Sequence, residues 1–215
     1  MDFKKTALIV IDMENAFISK QSPLCIKGAA ETVPACGRVI EKARERSIPV
    51  FFVNRIYRRN GSDVEFTRYG SWLDGGRYLA PESTGALSIE VPPEFEPKQG
   101  DYTLIKPRFS AFFQTSLDLI LRRLGVHTVF LAGTTTPNCI RTTCYDALSL
   151  DYNTVILTDC CSSNTEEIQR VNLEDMERVG AVLHDSEAFL SEDYAVKDLA
   201  GDIRSLVSAD AAFPE

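Results

Sequence analysis

Histidine is nearly absent: His127 and His184 are the only two in 215 residues. A site built from histidine ligands alone therefore has too little to draw on, and a Cys-His nucleophile pair has few candidates. No apolar run approaches the roughly 18 residues of a membrane helix. The opening Met1-Asp2-Phe3-Lys4-Lys5-Thr6 lacks the apolar segment of about 7–15 residues of a secretory signal. A cytoplasmic protein with no membrane contact is the expectation. Basic residues are outnumbered, with 23 Lys and Arg against 31 Asp and Glu and a net charge of −8. That balance argues against nonspecific nucleic-acid binding, which needs a basic surface. The six cysteines (Cys25, Cys36, Cys139, Cys144, Cys160 and Cys161) follow neither a disulfide framework nor a CxxC zinc pattern. No GxGxxG or GxxxxGK follows an apolar run, which counts against a nucleotide cradle.

What is present reads as a globular chain, 44% hydrophobic and 25% charged. Its length suits one compact domain over residues 1–215. Three short apolar runs each end at a reactive side chain. Ala7–Ile11 leads to Asp12, Tyr102–Ile105 to Lys106, and Thr128–Gly133 to Thr134-Thr135-Thr136-Pro137-Asn138-Cys139. Pro49–Val53, Asn153–Leu157 and Ala181–Leu183 read as further strands. Helical spacing covers about 30–46, 114–124, 137–150 and 165–179, and residues 186–206 read as a peripheral helical stretch before an acidic tail that should fray. Residues 13–28 read as a loop. Strands alternating with helices predict an α/β fold with three αβα layers and a mostly parallel, Rossmann-like sheet. Ligands bind such sheets at the carboxyl ends of the strands, so Asp12, Lys106 and Cys139 would face one crevice.

Cys139 has the most telling context. Thr136 stands where an N-cap belongs, and Pro137 suits the first helical position. A cysteine in that first turn should feel the helix N-terminus, which lowers a thiol pKa and offers N–H groups to an oxyanion. Composition alone would make it a buried, inert cysteine; the strand–turn–helix setting favours a nucleophile. Asp12, after a buried run, is placed to take the thiol proton and pass it to a leaving amine. Lys106, beside a carboxylate and a thiol, would be held cationic.

These blocks resemble the isochorismatase-like cysteine hydrolase family. The matching pieces are Ala7–Phe17, Lys106–Phe112 and Gly133–Ile140, with Thr143–Ala147 and Leu157–Asp159 downstream, in order and at the right spacing. The resemblance implies a six-stranded parallel sheet, an Asp12-Lys106-Cys139 triad and a cis Thr134–Thr135 peptide. It also implies an oxyanion hole formed by the N–H groups of Thr135 and Cys139, and a homo-oligomer, dimer or tetramer. Two departures stand out: Glu14 and Ala16 replace the family's frequent Gln and Asp. The nicotinamidase branch carries an Asp-x-His metal site after its second strand, where this chain reads Val53-Asn54-Arg55-Ile56-Tyr57-Arg58; no metal and no other cofactor is expected.

Residues 54–101 lack periodicity and are rich in proline, glycine, arginine and aromatics, as expected of a lid or an interface. Arg55 is expected to bind a carboxylate or ureide oxygen of a small-molecule substrate, with Phe17 and Trp72 as further substrate-binding residues. The resulting expectation is an amidohydrolase acting on a small amide, N-carbamoyl or ureido compound through a cysteine thioester. The alternatives are vinyl-ether hydrolysis of isochorismate and a noncatalytic binding protein on the same fold.

Overall fold

The computed structural model describes residues 5–191 and 199–209. Six parallel strands form one sheet in the order β3-β2-β1-β4-β5-β6. They are β1 (Thr6–Ile11), β2 (Val50–Arg55), β3 (Tyr102–Lys106), β4 (Thr128–Thr134), β5 (Asn153–Ser162) and β6 (Val182–His184). The helices are α1 (Asn15–Ile18), α2 (Ala29–Glu45), α3 (Tyr69–Asp74), α4 (Leu117–Arg123), α5 (Arg141–Ser149), α6 (Glu166–Arg178), α7 (Ser186–Leu190) and α8 (Leu199–Ala209). None of the described helices is long and apolar enough to cross a membrane.

β1 is buried along its whole length, and its alternation sorts the core into two layers. Ala7, Ile9 and Ile11 pack with Phe51, Val53, Leu131 and side chains of α4, α5 and α6, including Leu121, Ala147 and Met176. Leu8 and Val10 pack on the opposite face with Cys36, Val39 and Ile40 of α2 and Phe189 of α7. A strand covered by helices on both faces needs apolar residues at every position, which explains its continuous apolar run. The α2 stripe Cys36, Val39, Ile40 and Ala43 is fully buried, as its helical spacing requires. α6 starts at Thr165, whose side chain accepts a hydrogen bond from the Ile168 N–H at 3.1 Å.

The strand order reverses between β1 and β4, which pair from Thr6↔Thr128 to Ile11↔Gly133. This is the topological switch point, where a crevice opens at the carboxyl ends of such sheets. β2 and β3 end together, Arg55 opposite Lys106.

Three local expectations are revised. The stretch 13–28 contains α1, a single turn too short for periodicity to reveal. The helix predicted from 137 begins instead with a π-helical turn, Thr136–Ile140, before α5. Thr136 is not its cap: Thr135 holds the N-cap position without a side-chain cap bond, and the Thr136 hydroxyl donates to the Ser162 carbonyl at 3.0 Å. The stretch 186–206 is divided between α7 and α8; its middle, like the acidic tail, lies outside the described residues. The long connection is not featureless. It holds α3, two 3₁₀ turns and a small core of its own around Tyr57, Val64, Trp72, Tyr78 and Leu79.

Candidate active site

Asp12 directly follows β1 and turns there with φ 53°, in the left-handed region. Its N–H donates to the Val53 carbonyl at 3.2 Å, tying the turn to β2. Lys106 closes β3, two strands away. Both side chains are fully buried, and Lys106 Nζ stands 2.8 Å from Asp12 Oδ2. The same ammonium donates to the Arg108 carbonyl at 3.1 Å and lies 3.5 Å from Cys139 Sγ. Its three protons thus have a carboxylate, a carbonyl and a sulfur to meet, which fixes the head group and leaves none free.

Cys139 sits in the π-helical turn and is 5% exposed. The approach to that turn is shaped by three features. Gly133 has φ +115°, and a Cβ there would lie 2.0 Å from the Ile11 carbonyl oxygen, so only glycine lets β4 run this close to β1. The Thr134–Thr135 peptide is cis, as the resemblance implies. The Thr135 and Thr136 hydroxyls both donate to the Ser162 carbonyl at 3.0 Å, while the Ser162 hydroxyl meets Thr134 Oγ1 at 2.9 Å. The end of β5 thereby holds all three threonines.

The thiol's proton affinity differs from expectation. Burial, then the Asp12 carboxylate, pushes the Cys139 thiol up to about 11, against the opposing charges of Lys106 and Arg55. The turn's N-terminus does not produce a low-pKa thiolate, because the sulfur is largely removed from water and faces an anion.

Arg55 ends β2 with only 2% of its surface exposed. Its Nη1 donates to Glu65 Oε1 at 3.0 Å and to Tyr57 Oη at 3.4 Å, and Tyr57 donates to Glu65 Oε2 at 2.7 Å. The guanidinium lies over the Phe109 ring at 4.5 Å, with Arg68 over the same ring at 5.0 Å. Burial works against the Arg55 charge, but Cys139, Asp12, Tyr57 and Glu65 outweigh it and hold the group charged. Its Nε and Nη2 are buried without a hydrogen-bond partner.

The structure does not bring Trp72 and Phe17 to the triad in the same way. Trp72 is 1% exposed, its indole N–H donates to the Tyr78 carbonyl at 2.9 Å, and its ring meets Tyr57 edge-on. It backs Tyr57, which in turn holds Arg55. Phe17 packs against the same small core. Glu14, noted in the sequence only as a departure from the family's frequent Gln, is fully buried two residues beyond Asp12.

The end of β2 and the residues after it do not fit the metal site of the nicotinamidase branch. Val53–Arg58 holds no histidine, and the buried guanidinium of Arg55 at the end of β2 would repel a metal cation. Among the described residues no three His, Cys, Asp or Glu side chains come together as metal ligands would.

A buried Asp-Lys pair and a cysteine, joined at the switch point of a 3-2-1-4-5-6 parallel sheet, define a hydrolase-type site on a Rossmann-like fold. The chain belongs to the isochorismatase family: residues 6–188 match the isochorismatase domain. A protein named probable inactive nicotinamidase, from Arabidopsis thaliana, is 40% identical over 83% of this chain and 91% of its own length. Ureidoacrylate amidohydrolase RutB from Serratia proteamaculans is 32% identical over 73% of this chain and 69% of its own. Among solved structures, an isochorismatase family protein from Desulfovibrio vulgaris superposes with a TM-score of 0.81 at 37% identity, covering 94% of this chain and 98% of its own. N-carbamoylsarcosine amidase from Thermoplasma acidophilum superposes with a TM-score of 0.71 at 32% identity, covering 85% and 97%.

Proposed function

We propose that this isochorismatase-family hydrolase is an amidohydrolase that cleaves the C–N bond of a small amide, N-carbamoyl or ureido compound through a thioester on Cys139. The observation that carries this reading is the Lys106 ammonium lying 2.8 Å from Asp12 and 3.5 Å from Cys139 Sγ. It holds base and nucleophile around one fixed positive charge.

With a resting thiol near 11, deprotonation belongs to the attack itself. Sγ bonds to the carbonyl carbon while its proton passes to Asp12. The carbonyl oxygen becomes an oxyanion facing the N–H groups of Thr135 and Cys139; each such donor is worth about 10²–10³ in rate. Asp12 then gives the proton to the leaving nitrogen, and ammonia or an amine departs. Water attacks the thioester with Asp12 again as base, Sγ leaves and regains a proton, and the acid is released. Lys106 keeps its charge throughout and stabilises the sulfur anion whenever it forms.

Arg55 suits an anionic or ureide oxygen of the substrate, because it is buried, charged and has two N–H-bearing nitrogens without partners. The names of the ureidoacrylate and N-carbamoylsarcosine relatives point to the same chemical class. The Arabidopsis relative is named a probable inactive nicotinamidase, which favours the noncatalytic reading as the alternative. Nicotinamide is a poor fit here, since the stretch Val53–Arg58 has no histidine to serve a metal. The test is ammonia release from a panel of amides and ureides, with nicotinamide and isochorismate included. Release from a ureide that disappears in Cys139→Ala supports the reading. Isochorismate turnover that survives Cys139→Ala would replace it with vinyl-ether hydrolysis, and a panel without turnover would favour a binding protein.

A further inference from the structure

Glu14 is one charge too many for its surroundings. The buried cluster at the strand ends already balances: Asp12 is matched by Lys106 at 2.8 Å and Glu65 by Arg55 at 3.0 Å. Glu14 adds a further carboxyl at 0% exposure with no cation paired to it; only the Arg55 main-chain N–H lies beside it. Arg55 adjoins it through its main-chain N–H, yet the guanidinium turns to Glu65 and Phe109 and leaves Nε and Nη2 without partners. An acid and a base of opposite formal charge therefore stand buried in one cluster without pairing.

A carboxylate in that place would be dry, unsatisfied and close to Asp12, which is among the costliest arrangements a protein can hold. A carboxylic acid avoids the cost. The charged groups acting on Glu14 are Asp12 from the end of β1, Arg55 from β2 and Lys106 from β3. Burial first and Asp12 second push the Glu14 carboxyl well above the usual carboxylate range, and the charges of Lys106 and Arg55 and the Arg55 N–H do not offset them.

We propose that Glu14 is a neutral carboxylic acid in the working protein, a positioning residue that leaves the Arg55 Nε–H and Nη2–H groups, which Glu65 does not take, to an anionic group of the substrate. This rests on the substrate role given to Arg55 above. Ionised, Glu14 would compete for that guanidinium and repel the incoming anion. Neutral, it has the charge and shape of a glutamine.

Two measurements test it. Infrared difference spectra between the protein and its Glu14→Gln variant, with glutamate carboxyls isotopically labelled, show a protonated-carboxyl stretch at neutral pH that the variant lacks. Titration calorimetry on Cys139→Ala, with N-carbamoylglycine as anionic probe and methylurea as neutral probe, follows binding as pH rises. Affinity for N-carbamoylglycine holds while the infrared band persists and falls where it fades, approaching about tenfold per pH unit. Cys139→Ala/Glu14→Gln shows no such fall, and methylurea binding is flat in both. An ionised Glu14 at neutral pH overturns the proposal, as does the same pH dependence with glutamine in place, or failure of N-carbamoylglycine to bind while the band is present. If no amide or ureide is hydrolysed, the amidohydrolase reading fails by itself, and the infrared band still decides the state of Glu14.

Discussion

Lys106 and Asp12 form an ion pair at 2.8 Å with neither side chain exposed to water. Taking both charges out of water is expensive, and the pair returns that cost only while both members are present. Removing one leaves the other buried and uncompensated. Lys106→Met and Asp12→Asn are each expected to destabilise the fold by about 3–5 kcal/mol. The double variant Asp12→Asn/Lys106→Met should lose clearly less than the sum of the two. Urea denaturation of the four proteins measures this coupling, and strictly additive losses would contradict a mutually dependent pair.

The Cys139 thiol, pushed up to about 11, makes an unusual demand on a nucleophile. Only the thiolate reacts with iodoacetamide, so alkylation of Cys139 should be slow at neutral pH. It should climb about tenfold per pH unit toward the thiol's pKa. Mass-mapped alkylation rates give the profile directly. A rate already level near neutrality would mean a preformed thiolate and would shift the role of Asp12 away from that of base.

The buried thiols also set an alkaline limit on stability. Burial first pushes Cys139 up to about 11 and Cys144 up to about 12, and the Cys161 thiol is also raised by its burial. The unfolded chain loses these protons at ordinary thiol values while the folded chain keeps them. Stability is therefore fully present below the unfolded pKa and falls as pH rises through the folded values. Calorimetric Tm should decline steadily above a pH of about 9. A Tm independent of pH across that window would contradict the burial of these groups.

Gly133 carries the close approach of β4 to β1. With φ +115° and a Cβ position 2.0 Å from the Ile11 carbonyl oxygen, Gly133→Ala must displace the very strand that presents Asp12. A loss of about 3 kcal/mol or more is expected from overpacking and backbone conformation together, accompanied by loss of turnover. Chemical denaturation and ammonia release check both, and a variant of ordinary stability would show that the strand end yields more easily than its contacts imply.

Arg55 separates substrate recognition from chemistry. Arg55→Ala should raise KM for an N-carbamoyl acid by at least about tenfold, the scale of a charge-assisted contact, and change KM for a neutral amide far less. Equal effects on both substrates would make Arg55 a structural support for Glu65 and Tyr57.

Much of this architecture is legible in the chain because apolar runs report burial on both faces of a parallel sheet. The central strands follow from that pattern and the helix stops from Gly125 and Gly180, whereas β3 and β6 are partly exposed edges and β5 runs past its apolar run to Ser162. The π-helical turn at Thr136–Ile140 does not, because it depends on the Ser162 carbonyl reaching Thr135 and Thr136 from another strand. The raised Cys139 thiol is equally hidden, since helix position is local whereas loss of water and the nearness of Asp12 are tertiary. The setting of Trp72 is hidden for a related reason: the sequence shows an aromatic in a segment without periodicity, whereas its indole N–H donates to the Tyr78 carbonyl inside a small core. Glu14 shows the converse, a charged residue whose burial no local pattern announces.

The most direct measurement is intact-mass analysis of the protein quenched during turnover of a ureide, alongside ammonia release. The account predicts a covalent adduct of the acyl or carbamoyl mass on Cys139, formed with release of ammonia or amine and absent in Cys139→Ala. Ammonia release that persists in Cys139→Ala, with no adduct on the wild-type protein, would contradict it.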